Sequence, residues 1–312
     1  MPPFPRNILQ FMKRLLPFLL TAPLFAEPGD TVYQKGFLSK EEAHKSIELQ
    51  DGYALDLVLS DPDIHEPVAM AWDGNGALYV VEMRTYMQDA DATGEQTPKS
   101  HISRHEDTNG DGVYDKHSIF IDNLLLPRMV LPLDDRIMVG VTNTLDLWTY
   151  RDSDKDGVAD EKVKIYEGGR RGGNMEHQPS GLIWNVDNWI YLTYENKRYR
   201  FTDGKLEVQK MPRGGGQWGI GMDDAGRNYY SAAGGEKPAF YFHQPIVYGA
   251  LDLSGQEANG FREVFPIADV PDVQGGTRRV NKRGGLNNFT GCAGQGIYRG
   301  DRLPADLKGD LI

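Results

Sequence analysis

The feature that most constrains this chain is a hairpin that recurs. Ala69-Met-Ala-Trp-Asp-Gly-Asn-Gly-Ala-Leu-Tyr-Val-Val81, Gly181-Leu-Ile-Trp-Asn-Val-Asp-Asn-Trp-Ile-Tyr-Leu-Thr193 and Gly219-Ile-Gly-Met-Asp-Asp-Ala-Gly-Arg-Asn-Tyr-Tyr-Ser231 each read as a strand, a tight Asp/Asn/Gly turn and a second strand. A weaker copy runs from Met129 to Val141, turning at Asp134-Asp135. Two copies are followed by further strand pairs, Ile102 to Phe120 and Leu145 to Tyr166. Units of four strands recurring every ~40 to 60 residues are how propeller blades repeat; a β-sandwich has no need to repeat one hairpin sequence. The prediction is an all-β chain, a six-bladed β-propeller over residues 53–312, truncated after about four and a half blades because a fifth first hairpin opens near Gly296-Ile-Tyr298. Ahead of it, residues 27–52 read as an N-terminal packing segment with one short helix. Ser39-Lys-Glu-Glu42 is a capping box that opens this helix and carries it to about Ile47.

Composition limits the partners. The 36 Gly and 18 Pro suit a turn-rich chain, and 25% charged with 10% aromatic residues is too structured a mixture for disorder. The net charge of −11 repels nucleic acid and anionic membrane surfaces. Arg278, Arg279, Lys282 and Arg283, the one basic cluster, has no interleaved aromatics and reads as a solvated loop. No acidic residue precedes Glu27, and residues 1–26 combine Arg6, Lys13 and Arg14 with the apolar run Leu15 to Phe25 and a small residue, Ala26. That is the layout of a signal peptide, and it predicts an exported, periplasmic or extracellular protein; an uncleaved anchor holding it at a membrane is the alternative. Cys292 is the only cysteine. The chain therefore has no intrachain disulfide, no paired-cysteine zinc site and no covalent haem motif, and Cys292 reads as a small buried hydrophobe.

Two loops share the frame D-x-[DN]-x-D-G-x-x-D. The first offers Asp107, Asn109, Asp111, the Val113 carbonyl and Asp115; the second offers Asp152, Asp154, Asp156, the Val158 carbonyl and Asp160. Oxygen donors at positions 1, 3, 5, 7 and 9, with Gly112 and Gly157 at position 6, match a calcium loop. Ser118 and Val163 stand where an EF-hand has its bidentate glutamate, so these are calcium loops between strands, with a structural role. The competing reading is a metal-free hairpin held by Asx-turns, against which stands the mutual repulsion of several carboxylates in one loop.

Of seven histidines, His44, His65, His117 and His243 are isolated. His101 and His105 lie four apart in a strand, where they need not converge on a metal. His177 differs because Gly172-Gly-Asn-Met-Glu-His177-Gln-Pro-Ser-Gly181 precedes an inner strand, where propeller loops converge on the axis. Arg84 ends an inner strand and reads either as a ligand-contacting side chain facing the axis or as the partner of a neighbouring blade's carboxylate.

Around His177 the sequence resembles the soluble quinoprotein glucose and sorbosone dehydrogenases, whose His-Gln-Ser-Gly-x-Leu stretch precedes a strand ending Ile-Tyr-x-Thr. The resemblance implies that His177 is the general base that takes a sugar hydroxyl proton as hydride passes to pyrroloquinoline quinone. It also implies that Arg213, in Arg213-Gly-Gly-Gly-Gln-Trp-Gly-Ile220, is the cation over the quinone carbonyl. Asn196 stands where the family has the carboxylate that orients the base, and Gly234-Gly-Glu-Lys-Pro238 replaces its cofactor-calcium stretch.

A longer resemblance runs through Leu38-Ser-x-Glu-Glu-Ala, Val68-Ala-Met-Ala-Trp-Asp, Val80-Val-Glu-Met-Arg84, the two acidic loops, Asp187-Asn-Trp-Ile-Tyr191, Val270-Pro-Asp-Val-Gln-Gly276 and Ile297-Tyr-Arg-Gly-Asp-Arg-Leu-Pro304. In this order the motifs resemble the N-terminal propeller of the planctomycete and verrucomicrobial membrane-bound dehydrogenases, whose long members continue into helical repeats and a c-type haem domain. The implied role is the substrate-side domain of a sugar or polyol oxidoreductase with a c-type cytochrome domain or protein as partner. The alternative is a non-catalytic propeller that binds carbohydrate or protein. A calcium-dependent lactone hydrolase would need carboxylates and Asn on one axial metal, a set the sequence does not assemble.

Overall fold

The computed structural model describes residues 36–211, 215–230, 240–242 and 294–312. The chain divides into two units, Met1–Gln50 and Asp51–Ile312. In the first, helix α1 (Lys40–Lys45) opens on the capping box: the Glu42 amide donates to Ser39 Oγ (3.2 Å) and the Ser39 amide donates to the Glu42 carboxylate (3.0 Å). It stops at Lys45, short of Ile47, where the Ser46 amide and hydroxyl turn back on Ala43. Among the described residues this is the one α-helix, and no helix is long and apolar enough to cross a membrane.

The second unit is built of antiparallel sheets in chain order. The first holds β1 (Pro67–Trp72), β2 (Leu78–Glu82), β3 (Ser100–Glu106) and β4 (Lys116–Leu124). The second holds β5 (Pro127–Pro132), β6 (Ile137–Val141), β7 (Leu147–Arg151) and β8 (Glu161–Tyr166). The third holds β9 (Ile183–Trp184), β10 (Ile190–Tyr191), β11 (Lys197–Thr202) and β12 (Lys205–Lys210), and the fourth β13 (Gly221–Met222), β14 (Asn228–Tyr230) and β15 (Phe240–Phe242). An isolated bridge joins Ile297 to Leu311. Each sheet is a four- or three-stranded meander that never crosses over. Successive meanders packed face to face are the blades of a β-propeller.

The repeated hairpin closes through the same local bonds. Asp73 Oδ1 accepts the amides of Asn75 and Ala77, and Asp223 Oδ1 accepts those of Ala225 and Arg227. Such Asx-turns fix the register that sets Ala71 opposite Tyr79 and Gly221 opposite Tyr229. One face of each blade then carries the apolar residues. Tyr79, Val81, Ile102 and Phe120 of the first blade pack on Val130, Ile137, Val139 and Tyr150 of the second. Met129, Met138 and Leu147 meet Ile190, Leu192 and Tyr199 of the third, whose Trp189 and Tyr191 meet Ile220 and Tyr230 of the fourth.

The first strand of each blade is innermost. There the chains come so close that a Cβ on Gly219 would stand 2.8 Å from the Gly294 Cα, a contact only glycine permits. Because the strands alternate in direction, loops β2–β3, β6–β7 and β10–β11 emerge at the same end as the entries to β5, β9 and β13. This end is the axial face. The β1–β2 type turns and the acidic loops β3–β4 and β7–β8 lie at the opposite end. A bulge displaces one residue at the start of two inner strands: Val68 in β1 and Arg128 in β5 lie outside the paired register.

Candidate functional site

His177 ends a single 3-10 turn, Met175–His177, whose first amide at Glu176 is capped by Asn174 Oδ1 (2.8 Å). Its backbone is held from outside: Arg171 Nη2 donates to the His177 carbonyl (3.0 Å). The next residue, Gln178, is buried. Its Oε1 accepts the Asn143 amide (2.6 Å), its Nε2 donates to Asn143 Oδ1 (3.1 Å), and Asn143 Nδ2 donates in turn to Gln96 Oε1 (2.7 Å). Amide side chains thus join axial loops of the first two blades to the segment entering the third.

The His177 imidazole is exposed and stacks on Tyr194, with ring centroids 6.2 Å apart and planes inclined by 24°. Among the described residues no carboxylate hydrogen-bonds it. Asn196, at the position of the expected orienting group, is tied through its carbonyl to the Met211 amide. Tyr194 has a left-handed backbone (φ 65°), donates its amide to the Gly215 carbonyl (2.8 Å), and donates its hydroxyl to Gln217 Oε1 (3.1 Å). Gln217 Nε2 closes the circuit on the Glu176 carbonyl (3.1 Å).

Arg128 lies beside this group. The β5 bulge carries it out of the strand ladder, as bulges commonly re-aim a side chain, and it is only 2% exposed. Its guanidinium sits 4.1 Å from the centre of the Trp218 ring, while Nη2 has one long bond (3.4 Å) to the Glu176 carbonyl and Nε has no partner. Burial pushes its pKa down to about 10, against the pull of Tyr86, Tyr194 and Glu176, so it stays charged at neutral pH. The Glu176 carboxylate is turned away to accept the Tyr86 hydroxyl (2.8 Å). Burial and this acceptor push the Tyr86 phenol up to about 12.

Sequence reading missed Arg128, because the weaker hairpin copy begins at Met129. The signal was present one residue earlier: Pro127-Arg128 puts a charge where the first copy has Pro67-Val68. Arg84 lies two residues beyond β2, the second strand of its blade and not the innermost. Its side chain is exposed and makes no ion pair among the described residues; its amide is held by Ser100 Oγ (3.1 Å). Arg213, Gly234–Pro238, Cys292, the basic cluster and the leader fall outside the described residues.

The two acidic loops share one geometry at the opposite end. Asp107 accepts the Gly110 and Gly112 amides, Asn109 that of Asp111, and Asp111 that of Val113. Asp152 accepts those of Lys155 and Gly157, Asp154 that of Asp156, and Asp156 that of Val158. Gly112 and Gly157 take the left-handed backbone that position 6 requires (φ 89° and 94°). Carboxylate oxygens of Asp152, Asp154 and Asp156 all lie within 4.8 Å of one another, a hard-oxygen set that suits calcium. Asp115 and Asp160 instead use both oxygens on the amide and hydroxyl of Thr108 and Ser153. The second loop also touches the first blade: Ser118 Oγ donates to the Gly157 carbonyl (2.6 Å) and the Ala159 amide to that of Phe120 (2.9 Å).

His101 and His105, separate in the sequence reading, meet in a buried cluster on one face of β3. Glu82 accepts His101 Nε2 (3.0 Å), Ser103 Oγ (2.6 Å) and the His65 amide (2.8 Å), and His105 Nε2 is 2.9 Å from Ser103 Oγ. Burial alone would raise the Glu82 pKa, but these hydrogen bonds outweigh it and hold the carboxyl below its ordinary value. Strand alternation places residues 101, 103 and 105 on one side; that Glu82 faces them depends on the β2–β3 register.

Residues 39–312 match the family model described as "Domain of unknown function (DUF7133)". The chain belongs to the DUF7133 family. No protein with a curated description matches it. Solved structures similar to this DUF7133 chain include the calcium structure of a carbohydrate-active enzyme of family AA12 from Trichoderma reesei, at 10% identity and a TM-score of 0.43 over 64% of this chain and 56% of that one. The PQQ domain of pyranose dehydrogenase from Coprinopsis cinerea is 12% identical, with a TM-score of 0.39 over 60% and 49%. A gluconolactonase from Xanthomonas campestris is 14% identical, with a TM-score of 0.37 over 56% and 57%. The chain spans about half the length of each, and likenesses this remote carry no argument about its reaction.

Among the described residues the carboxylate trio with metal-ligand spacing lies at the opposite end, and the axial segments of this DUF7133 chain carry buried Arg128, exposed Arg84 and Arg171 on the His177 carbonyl.

Proposed function

We propose that this chain is the exported, substrate-side domain of a larger sugar or polyol oxidoreductase, binding its substrate on the axial face and taking up the hydroxyl proton on His177. The observation that supports it is the exposed imidazole, stacked on Tyr194, with its backbone fixed and both ring nitrogens free of hydrogen bonds among the described residues. A neutral imidazole with a free ring nitrogen can accept a proton from a hydroxyl. Electrons would leave to a c-type cytochrome or quinone domain outside the described residues. The two acidic loops, remote from this face, would hold calcium structurally.

Among the described residues no carboxylate bonds the His177 imidazole, and with Asn196 in that region this supports a second reading, a propeller that binds carbohydrate without oxidising it. Dye reduction by the whole protein with calcium, pyrroloquinoline quinone and a panel of aldoses and polyols separates the two. Activity lost in His177→Ala, with sugar binding retained, supports catalysis. Sugar binding with no turnover under any acceptor sinks it in favour of the binding module.

A further inference from the structure

A guanidinium 2% exposed that forms no ion pair among the described residues is costly to keep. The same protein shows what a structural buried arginine looks like. Arg198 is 1% exposed and stacks on Trp189 at 4.4 Å, as Arg128 stacks on Trp218 at 4.1 Å. Arg198 is neutralised by Asp187 (3.0 Å) and bonded further to Gln209 and Tyr191. Arg128 has the aromatic support and, among the described residues, no counter-charge: the hydrogen bond from its Nη2 is 3.4 Å long and its Nε is bare.

Three further features single the position out. The β5 bulge leaves Arg128 outside the paired register. Trp218, which supports it, holds a left-handed backbone (φ 64°) that a bulky residue adopts at a cost. The nearest carboxylate, Glu176, is occupied by Tyr86 and does not reach round to the guanidinium. Glu176, whose carbonyl takes the Arg128 hydrogen bond, is itself exposed beside His177.

We infer that Arg128 is a binding residue for the carboxylate of an acidic ligand, so that the axial face takes a sugar acid, an aldonate or a uronate, in preference to a neutral sugar. A planar guanidinium binds a carboxylate in a bidentate pair, the geometry in which arginine is strongest, and here Nε has no partner. This rests on the axial face being a sugar site, as proposed above.

The test is calorimetric titration of the whole protein with D-glucose, D-glucuronate, D-gluconate and L-lactate at low ionic strength. The expected result is at least ~10-fold tighter binding of glucuronate or gluconate than of glucose, as a good charge-assisted pair supplies, with the ratio falling to about one in Arg128→Met and partly kept in Arg128→Lys. Should Arg128→Met fail to fold, thermal midpoints of the unaltered protein serve: equal shifts from glucose and glucuronate overturn the inference. Glucose binding with no preference for the acids overturns it and leaves the sugar-site reading standing. Lactate binding lost in Arg128→Met, without any sugar binding, keeps Arg128 as an anion site and sinks the sugar reading. No binding of any of the four overturns both.

Discussion

The Asp187-Asn-Trp-Ile-Tyr191 motif owes its residues to a buried charge, and that can be measured. Asp187 accepts the Trp189 amide (2.9 Å), the Tyr191 hydroxyl (2.5 Å) and Arg198 Nη1 (3.0 Å), and the two charged side chains are 9% and 2% exposed. Removing the carboxylate strands a guanidinium in the third blade, which typically costs about 3–5 kcal/mol. With a urea m-value of roughly 2–3 kcal/mol/M, Asp187→Ala should lower the unfolding midpoint by ~1.5 M. Asp187→Asn keeps an acceptor for the amide and hydroxyl and should lose about half as much. Arg198→Met introduced into Asp187→Ala should restore at least ~1 kcal/mol, because it removes the orphaned charge. The comparison is Asp135→Ala: Asp135 pairs with Arg136 and Arg151 but is 44% exposed, and its loss should cost under ~1 kcal/mol. Urea titrations followed by tryptophan fluorescence and circular dichroism give the values. An Asp187→Ala cost below about 1 kcal/mol, or costs that simply add in the double variant, would refute the buried-pair account.

Two further outcomes follow. Calcium titration of the chelated protein should give two sites, and Asp154→Ala with Asp156→Ala should leave one; at 100-fold excess over Kd each site raises stability by about 2.7 kcal/mol, and no heat at millimolar calcium would remove the metal from both loops. The Glu82 carboxyl, held below its ordinary value mainly against burial by His101, Ser103 and the His65 amide, binds its proton more weakly folded than unfolded. Its contribution is therefore complete above the unfolded value near ~4.3 and lost as pH falls through the folded one; Glu82→Gln should flatten the stability curve on that acid limb, and an unchanged slope would contradict the assignment.

The local elements were legible because they rest on short-range chemistry. The capping box at Ser39 and Glu42, the Asx-turns at Asp73 and Asp223, and the paired loops at Asp107 and Asp152 each close within a few residues. Repetition did the rest, since a hairpin repeated with its turn residues demands blades. Arg84 shows the limit: sequence reading placed it at the end of an inner strand, and the sheet order corrects this, because that strand is the second of its blade.

What the sequence alone determined is the repeat, and with it the propeller, the single short helix and the two acidic loops. Only the tertiary structure decided which polar groups share a site. His177, Tyr194 and Arg128 lie on three different segments, and His101 meets Glu82 through strand register. The physical reason is range. Turn and cap bonds are encoded within a few positions, whereas the pairing of a buried charge depends on which neighbour the packed blades bring beside it. Within the third blade the pairing of β10 with β11 brings Arg198 back to Asp187, and among the described residues no carboxylate pairs with Arg128 where the blades meet.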